Sequence, residues 1–325
     1  MSRWTGKLRY AAQSMDAYLE KIHGPRLLTG LDMIWCGLRY GASPSNYYHF
    51  GFAGLSGRER ATFTTYRVSE ALMKKYNSRQ AADQIFLDKF AFARKFRDFY
   101  GRACARSETL SPAEWESITA RSSRVIYKPV RGGQGRGILV YDLRERDARA
   151  VYGEIRGLAP GIVESWIRQH PDMDRLYPDA VDPIRVQTIF RDGTCHCLMA
   201  TVTVGHGGRI ANASAKAIFA LVDVGTGKIC SDGCDYDGNI YPAHPETGAP
   251  FRGYQLPCWA ETVAMLEKAA ALVPQVGYVG WDVAVTEDGP VLIEGNDDPG
   301  YTAYQLPALT GSRRGTYPLL RPFLK

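Results

Sequence analysis

The chain has 325 residues, 45% hydrophobic and 23% charged, the balance of an ordinary globular protein with room for two or three subdomains. Forty Lys and Arg against 34 Asp and Glu give a net charge of +6, but residues 1–106 alone hold 18 basic and 8 acidic side chains. That first third is either a solvated helical surface or the face for an anionic partner: a phosphorylated carrier, a nucleotide sugar, a lipid surface or, less expected, nucleic acid.

Residues 1–24 show no signal-peptide pattern. The apolar run 27–38 contains Asp32 and is too short to span a bilayer, so no transmembrane segment is expected. Seven scattered cysteines read as reduced thiols, which points to a cytoplasmic location.

Residues 1–84 read as helical, with apolar positions near helical spacing over 10–22 and 28–38. Residues 41–57 read as a loop rich in glycine, serine and aromatics. Ser56, with Glu59 three positions on, predicts a capped helix over 57–76 that Asn77 ends. A further helix is expected over 80–100 and carries the segment Leu87-Asp88-Lys89-Phe90.

Residues 124–130 (RVIYKPV) predict a strand, RGGQGRG a glycine loop, and 138–141 a second strand. Strand–loop–strand is a hairpin. It is neither a phosphate-binding P-loop nor a dinucleotide fingerprint, both of which need a helix after the glycines. Such a hairpin can still close over phosphates through its backbone amides, and Lys128 adds a point charge.

A helix follows over 144–157. Residues 161–168 form an apolar strand interrupted by Glu164, and Gln169-His170-Pro171 ends it. Strands over 184–191, 195–203 and 215–224, separated by glycine turns, predict an antiparallel sheet. The last strong helix is 259–273, and the proline-containing tail 302–325 reads as packing. Cys195-x-Cys197 and Cys230-x₃-Cys234, with His196, His206 and His244 nearby, fit no standard zinc spacing, and Cys195 and Cys197 share one face of a strand, where buried thiols are common.

Residues 278–300, YVGWDVAVTEDGPVLIEGNDDPG, read as two strands joined by a turn. Asp282 sits inside the first apolar run. Glu294 and Asn296 close the second and point to one side of an extended chain. Either these acids lie on a solvated face, or something positive meets them. In the second case, three oxygen ligands suit a hard cation such as Mg²⁺ rather than zinc.

Several short motifs occur in a characteristic order. They are Tyr47-Tyr48-His49-Phe50, Leu55-Ser56, Asn77, Asp88-Lys89 with Phe92, Lys128-Pro129, Gln169-His170-Pro171, Ile184-Arg185-Val186, Trp281-Asp282 and Glu294-Gly295-Asn296. Over most of its length the chain resembles the ATP-grasp superfamily, and within it the sugar-transfer-associated ATP-grasp family, which is linked to cell-surface polysaccharide gene clusters.

The resemblance implies an α+β ATP-grasp fold of two subdomains clamping ATP, with a helical N-terminal region 1–84 and subdomains at 85–166 and 167–325. It implies that Lys89 and Lys128 bind nucleotide phosphates under a lid of Gly132, Gly133, Gln134, Gly135, Arg136 and Gly137. Glu164, Ser165 and Ile167 would form the adenine edge, and His170 would also bind ATP. Asp282, Glu294 and Asn296 would hold one or two Mg²⁺, and Arg185, with Lys128, would act on the transferred phosphoryl group. Asp182, Asn212 and Lys216 would face the acceptor.

The implied activity is ATP-dependent joining of a carboxylate to an amine through an acyl phosphate, on a glycan, peptide or secondary-metabolite precursor. A kinase acting on a hydroxyl and a non-catalytic nucleotide-binding scaffold are the alternatives.

Overall fold

Two antiparallel sheets organise residues 76–299 in the computed structural model, which describes residues 16, 18–22, 25–130, 137–208, 211, 217–235 and 237–325. The chain divides into two units. Unit 1 is Met1–Lys75 with Gly300–Lys325, and unit 2 is Tyr76–Pro299. The expectations for 1–15 and for the lid residues 131–136, and those for Asn212 and Lys216, lie outside the described residues.

Unit 1 is helical, with α1 at Arg26–Tyr40, α2 at Pro44–His49, α3 at Gly57–Arg60 and α4 at Tyr66–Tyr76. The capping box read from Ser56 and Glu59 is present: each side chain accepts from the other residue's backbone N–H. The helix it starts is shorter than expected. Thr62 Oγ1 donates to the Glu59 carbonyl and Thr65 Oγ1 to the Tyr40 carbonyl, so the threonines divert the chain before α4 begins. The expected loop 41–57 holds α2, capped by Ser43 with Pro44 in its first turn.

Residues 300–325 are integral to unit 1. Fully buried Gln305 accepts from Thr64 N–H at 3.0 Å and donates to the Thr64 carbonyl at 2.7 Å. Leu19, Met33, Cys36, Tyr47, Phe50, Phe52 and Phe63 form the unit's core.

In unit 2 the expected helix over 80–100 is three pieces: α5 at Arg79–Ile85, α6 at Lys89–Lys95 and α7 at Arg97–Tyr100. The break before α6 follows from Asp88, whose carboxylate caps Phe90 and Ala91 N–H. The smaller sheet has the order β1 (Cys104–Arg106), β4 (Gly161–Ser165), β2 (Arg124–Pro129), β3 (Leu139–Asp142). Helices α8 (Pro112–Thr119) and α9 (Ala148–Gly157) supply Trp115, Ile118, Val151 and Ile155 to its core.

The larger sheet runs β11 (Gly289–Asn296), β10 (Tyr278–Thr286), β5 (Ile184–Arg191), β6 (Thr194–Val204), β7 (Ile218–Val222), β8 (Gly233–Cys234), β9 (Ile240–Tyr241). The short α10 (Pro171–Asp174) precedes β5, and α11 (Trp259–Ala271) buries Leu266, Ala269 and Ala270 in the core of this sheet.

Alternation on β10 sends Trp281, Val283 and Val285 into that core, where Trp281 meets Phe96 edge-on at 5.3 Å. Gly295 lies on the same side of the hairpin. A Cβ there would overlap the Phe86 ring and lie 3.0 Å from Phe92. Gly295→Ala is therefore expected to destabilise the chain by about 1–3 kcal/mol through overpacking, read as a fall in melting temperature. An unchanged melt would show that the Phe86 ring yields freely.

Candidate active site

Strand register builds the centre of the site. Asp282 on β10 pairs with Arg185 on β5 and with Glu294 on β11, so three charged residues stand in one row across the sheet. Paired residues in a sheet point to the same face, here the one opposite Trp281. The Arg185 guanidinium grips Asp282 with two hydrogen bonds: Nε donates to Oδ1, and the second nitrogen to Oδ2 at 2.7 Å. Gly280 makes room for that arm, since a Cβ there would come 3.2 Å from Arg185 Cδ and 2.9 Å from Pro299. Asn296 pairs with Gly280, and its amide lies 3.5 Å from Glu294 Oε1.

Glu294 gathers the opposing charges. Burial and then the Asp282 carboxylate push its pKa up, while Arg185, Lys128 and Lys89 pull it down, and the net direction is upward. The two lysines thus act on the acid row from the smaller sheet and from a helix. Lys89 opens α6. A lysine at a helix N-terminus is unfavourable against the helix dipole, so its place is explained by the acids and by any anion it meets there. Asp88 fixes this turn as the cap and is itself held by Arg106 at 2.6 Å.

Lys128 projects from β2 and donates to Glu164 Oε2 at 3.0 Å. Glu164, 1% exposed on β4, also accepts from Arg102 Nε at 2.7 Å and Tyr100 Oη at 2.5 Å. Burial alone would raise its pKa. The Arg102 and Lys128 charges and the hydrogen bonds from Arg102 and Tyr100 outweigh that and hold it down at about 2.

Arg102 then continues to the acid strand, donating to the carbonyls of Leu292 at 2.8 Å and Ile293 at 3.4 Å, immediately before Glu294. Its guanidinium lies 3.5 Å from the Tyr100 ring centre. Arg102 ties the β4 acid to β11, and no sequence motif singled it out. Its partners lie 62 and 190 residues away.

The remaining expected residues fall in several places. Ser165 ends β4, with its N–H donating to the Ala103 carbonyl at 3.0 Å, and Ile167 follows beyond the strand end, half-buried. Gly137 is described, with φ +74°. His170 caps α10, its Nδ1 accepting from Asp172 N–H at 3.1 Å. Gln169 staples the following loop, donating to the Tyr177 carbonyl and accepting from Asp182 N–H.

Asp182, expected near the acceptor, is fully buried: Oδ1 accepts from Gly205 N–H at 2.9 Å, and Oδ2 has no hydrogen-bond partner among the described residues. Burial pushes its pKa well up, which favours the neutral acid.

Among the described residues, His206, His244 and Glu246 bring metal-ligating atoms together. His244 Nε2 hydrogen-bonds the Gly205 carbonyl at 2.7 Å, and Nδ1 lies 3.3 Å from Glu246 N–H and 3.4 Å from Thr247 N–H. Both of its ring nitrogens are occupied by backbone, so this histidine is structural. No described helix is long and apolar enough to cross a membrane.

A lysine-bearing small sheet and a large sheet carrying an acid row, both antiparallel, are the parts of an ATP-grasp protein. The profile of the family described as sugar-transfer associated ATP-grasp matches residues 151–316, just over half of the sequence, and the chain belongs to that family.

No curated protein matches the chain. Among solved structures it is similar to N5-carboxyaminoimidazole ribonucleotide synthetase purK in its ADP complex, with 13% identity and a TM-score of 0.44 over 73% of this chain and 52% of that one. It is also similar to the ATP-grasp ligase PsnB complexed with minimal precursor, Mg and ADP, with 18% identity and a TM-score of 0.43 over 76% and 62%. An L-amino acid ligase from Bacillus licheniformis shows 13% identity and a TM-score of 0.43 over 73% and 47%. The chain thus spans about half to three-fifths of the length of these proteins.

Proposed function

We propose that the protein is an ATP- and Mg²⁺-dependent ligase that joins a carboxylate to an amine, acting on a surface-glycan, peptide or secondary-metabolite precursor. The observation that carries this reading is the row Arg185–Asp282–Glu294 with Lys89 and Lys128 acting on Glu294. Phosphoryl transfer asks a protein mainly for alignment and charge neutralisation, and this row brings cations and acids together for both.

The donor set fits magnesium: two carboxylates and an amide oxygen, all hard ligands, with half-buried Glu294 beside a second acid that disfavours its charged form. Asp282, Glu294 and Asn296 would hold one or two ions. When bound, Mg²⁺ would supply charge neutralisation to the nucleotide phosphates.

The chain's own residues divide the remaining work. Lys89 and Lys128 bind phosphate oxygens. Glu164 orients Lys128 through the 3.0 Å hydrogen bond. The lid 132–137 covers the phosphates, and Ser165 and Ile167 present backbone to the adenine. Arg185, drawn from Asp282 toward the reacting centre, stabilises the charge that develops when a substrate carboxylate oxygen attacks the γ-phosphorus and ADP leaves. The amine nitrogen then attacks the acyl carbon, expels phosphate and loses a proton. No enzyme side chain need act as nucleophile.

The test is ADP release over a panel of carboxylates and amines, with γ-labelled ATP. Ligation requires both substrates and puts the label in inorganic phosphate. Label retained in a stable phosphoester would make the protein a kinase, and no turnover with any substrate would favour a nucleotide-binding scaffold.

A further inference from the structure

We infer that the outer face of α1 docks unit 1 onto an anionic lipid bilayer. Helix α1, RLLTGLDMIWCGLRY, buries Gly30, Met33 and Cys36 on its inner side. Its acid, Asp32, is sealed on that side by Arg60, at 2.7 Å to each carboxylate oxygen, and by Tyr47 Oη at 2.7 Å.

The opposite side is apolar along its whole length. Leu27, Leu28, Leu31, Ile34, Trp35 and Leu38 are 50–77% exposed. They are six of the twelve large apolar side chains exposed among the described residues, and their spacing puts them on one stripe about 120° wide. Single exposed hydrophobics are ordinary. A continuous stripe on a helix already packed on its other side is not, and marks a surface that something covers.

Charge identifies the cover. Unit 1 holds 15 Lys and Arg against 5 Asp and Glu. Each of the five acids already has a basic partner within 4 Å. Asp16 and Glu20 lie against Arg26, Asp32 against Arg60, Glu59 against Arg313 and Glu70 against Lys74. The unit therefore offers an anionic surface no unpaired acid among its described residues. Arg26 and Arg39 stand at the two ends of the stripe, and Trp35 is suited to the headgroup boundary. A second copy placed on the same stripe would set two strongly basic units against each other. A bilayer carrying anionic headgroups meets both the apolar stripe and the charge. The inference is independent of what unit 2 catalyses.

The full chain should be sedimented with phosphatidylcholine vesicles, and with vesicles containing about 30% phosphatidylglycerol, at low and raised salt. The expected result is pelleting with the anionic vesicles alone, weakened by salt. Leu31→Glu and Trp35→Glu should each lower the bound fraction about tenfold, while Leu272→Glu on unit 2 leaves it unchanged. Circular dichroism would show that all three variants stay folded. Wild-type protein left in the supernatant with both vesicle types would overturn the inference, as would unchanged binding by the α1 variants. A dimer in solution that Leu31→Glu converts to monomer, without vesicle binding, would assign the stripe to a second copy and overturn it equally.

Discussion

Glu294→Gln and Asp282→Asn should each abolish turnover while leaving the protein folded. Both substitutions keep side-chain shape and remove one negative charge from the row that β5, β10 and β11 build. If that row holds the cation, losing either carboxylate removes a ligand and its neutralising charge. Removing a single electrostatic contact of this kind typically lowers the rate by roughly 10²–10³, and a metal ligand by at least as much.

Stability should respond differently in the two variants. Glu294 is half-buried beside Asp282 and has a raised pKa, so its ionised form is unfavourable in the fold, and glutamine removes that conflict. The Glu294→Gln melt should equal or slightly exceed wild type. Asp282→Asn breaks the two-point grip on Arg185 and should melt lower. ADP release and thermal melts, run together, decide the matter. A wild-type rate in either variant, or full activity after chelation of divalent cations, would make the metal assignment wrong.

The second large effect concerns stability. Arg102→Ala is expected to lower it by about 3–5 kcal/mol, the usual result of removing one member of a buried charge cluster. Glu164 would keep its charge in a buried site with only Lys128 and Tyr100 as donors, and the Leu292 carbonyl would lose a 2.8 Å hydrogen bond. The sign of the pH dependence follows from Glu164. Its folded pKa, about 2, lies below the ordinary value of 4.5. The stabilisation it provides is therefore complete above about pH 4.5 and is lost as pH falls through 2.

Without Arg102 the folded pKa of Glu164 rises, so the loss should begin at higher pH and total less. Melting temperatures between pH 2 and 7 would display both features. Adding Glu164→Gln to Arg102→Ala should recover part of the stability, because the stranded charge is gone. An Arg102→Ala protein with a wild-type melt would mean that water already shields the cluster.

The sequence was most legible where one residue's type determines its neighbours' positions. Strand β5 over Ile184–Arg191 and the hairpin β10–β11 follow from alternation, and the Ser56–Glu59 box follows from its spacing. Helix lengths were less legible. Asp88 was read within a helix but acts as a cap, and Thr62 and Thr65 spend their hydroxyls on carbonyls.

Strand β1, three residues long, is held by pairing with β4 and carries little alternation of its own. At the site, the acids and lysines could be listed from sequence, but their pairing could not. That Lys128 shares Glu164 with Arg102, and that Arg185 grips Asp282, depends on contacts 36 to 97 residues apart. Burial of Asp182 likewise follows from Gly205, 23 residues on, and not from its neighbours in the chain.

The lock between Gln305 and Thr64 bears on biogenesis. The two residues are 241 positions apart, and the whole of Tyr76–Pro299 is synthesised between the two segments that unit 1 needs. At elongation rates of about 5–20 residues per second, the early helices wait roughly 10–45 s for the segment that completes them. Unit 2 can begin to fold on the ribosome during that interval. Unit 1 cannot finish until translation of residues 300–325, so its early helices stay without the Gln305 lock through that delay.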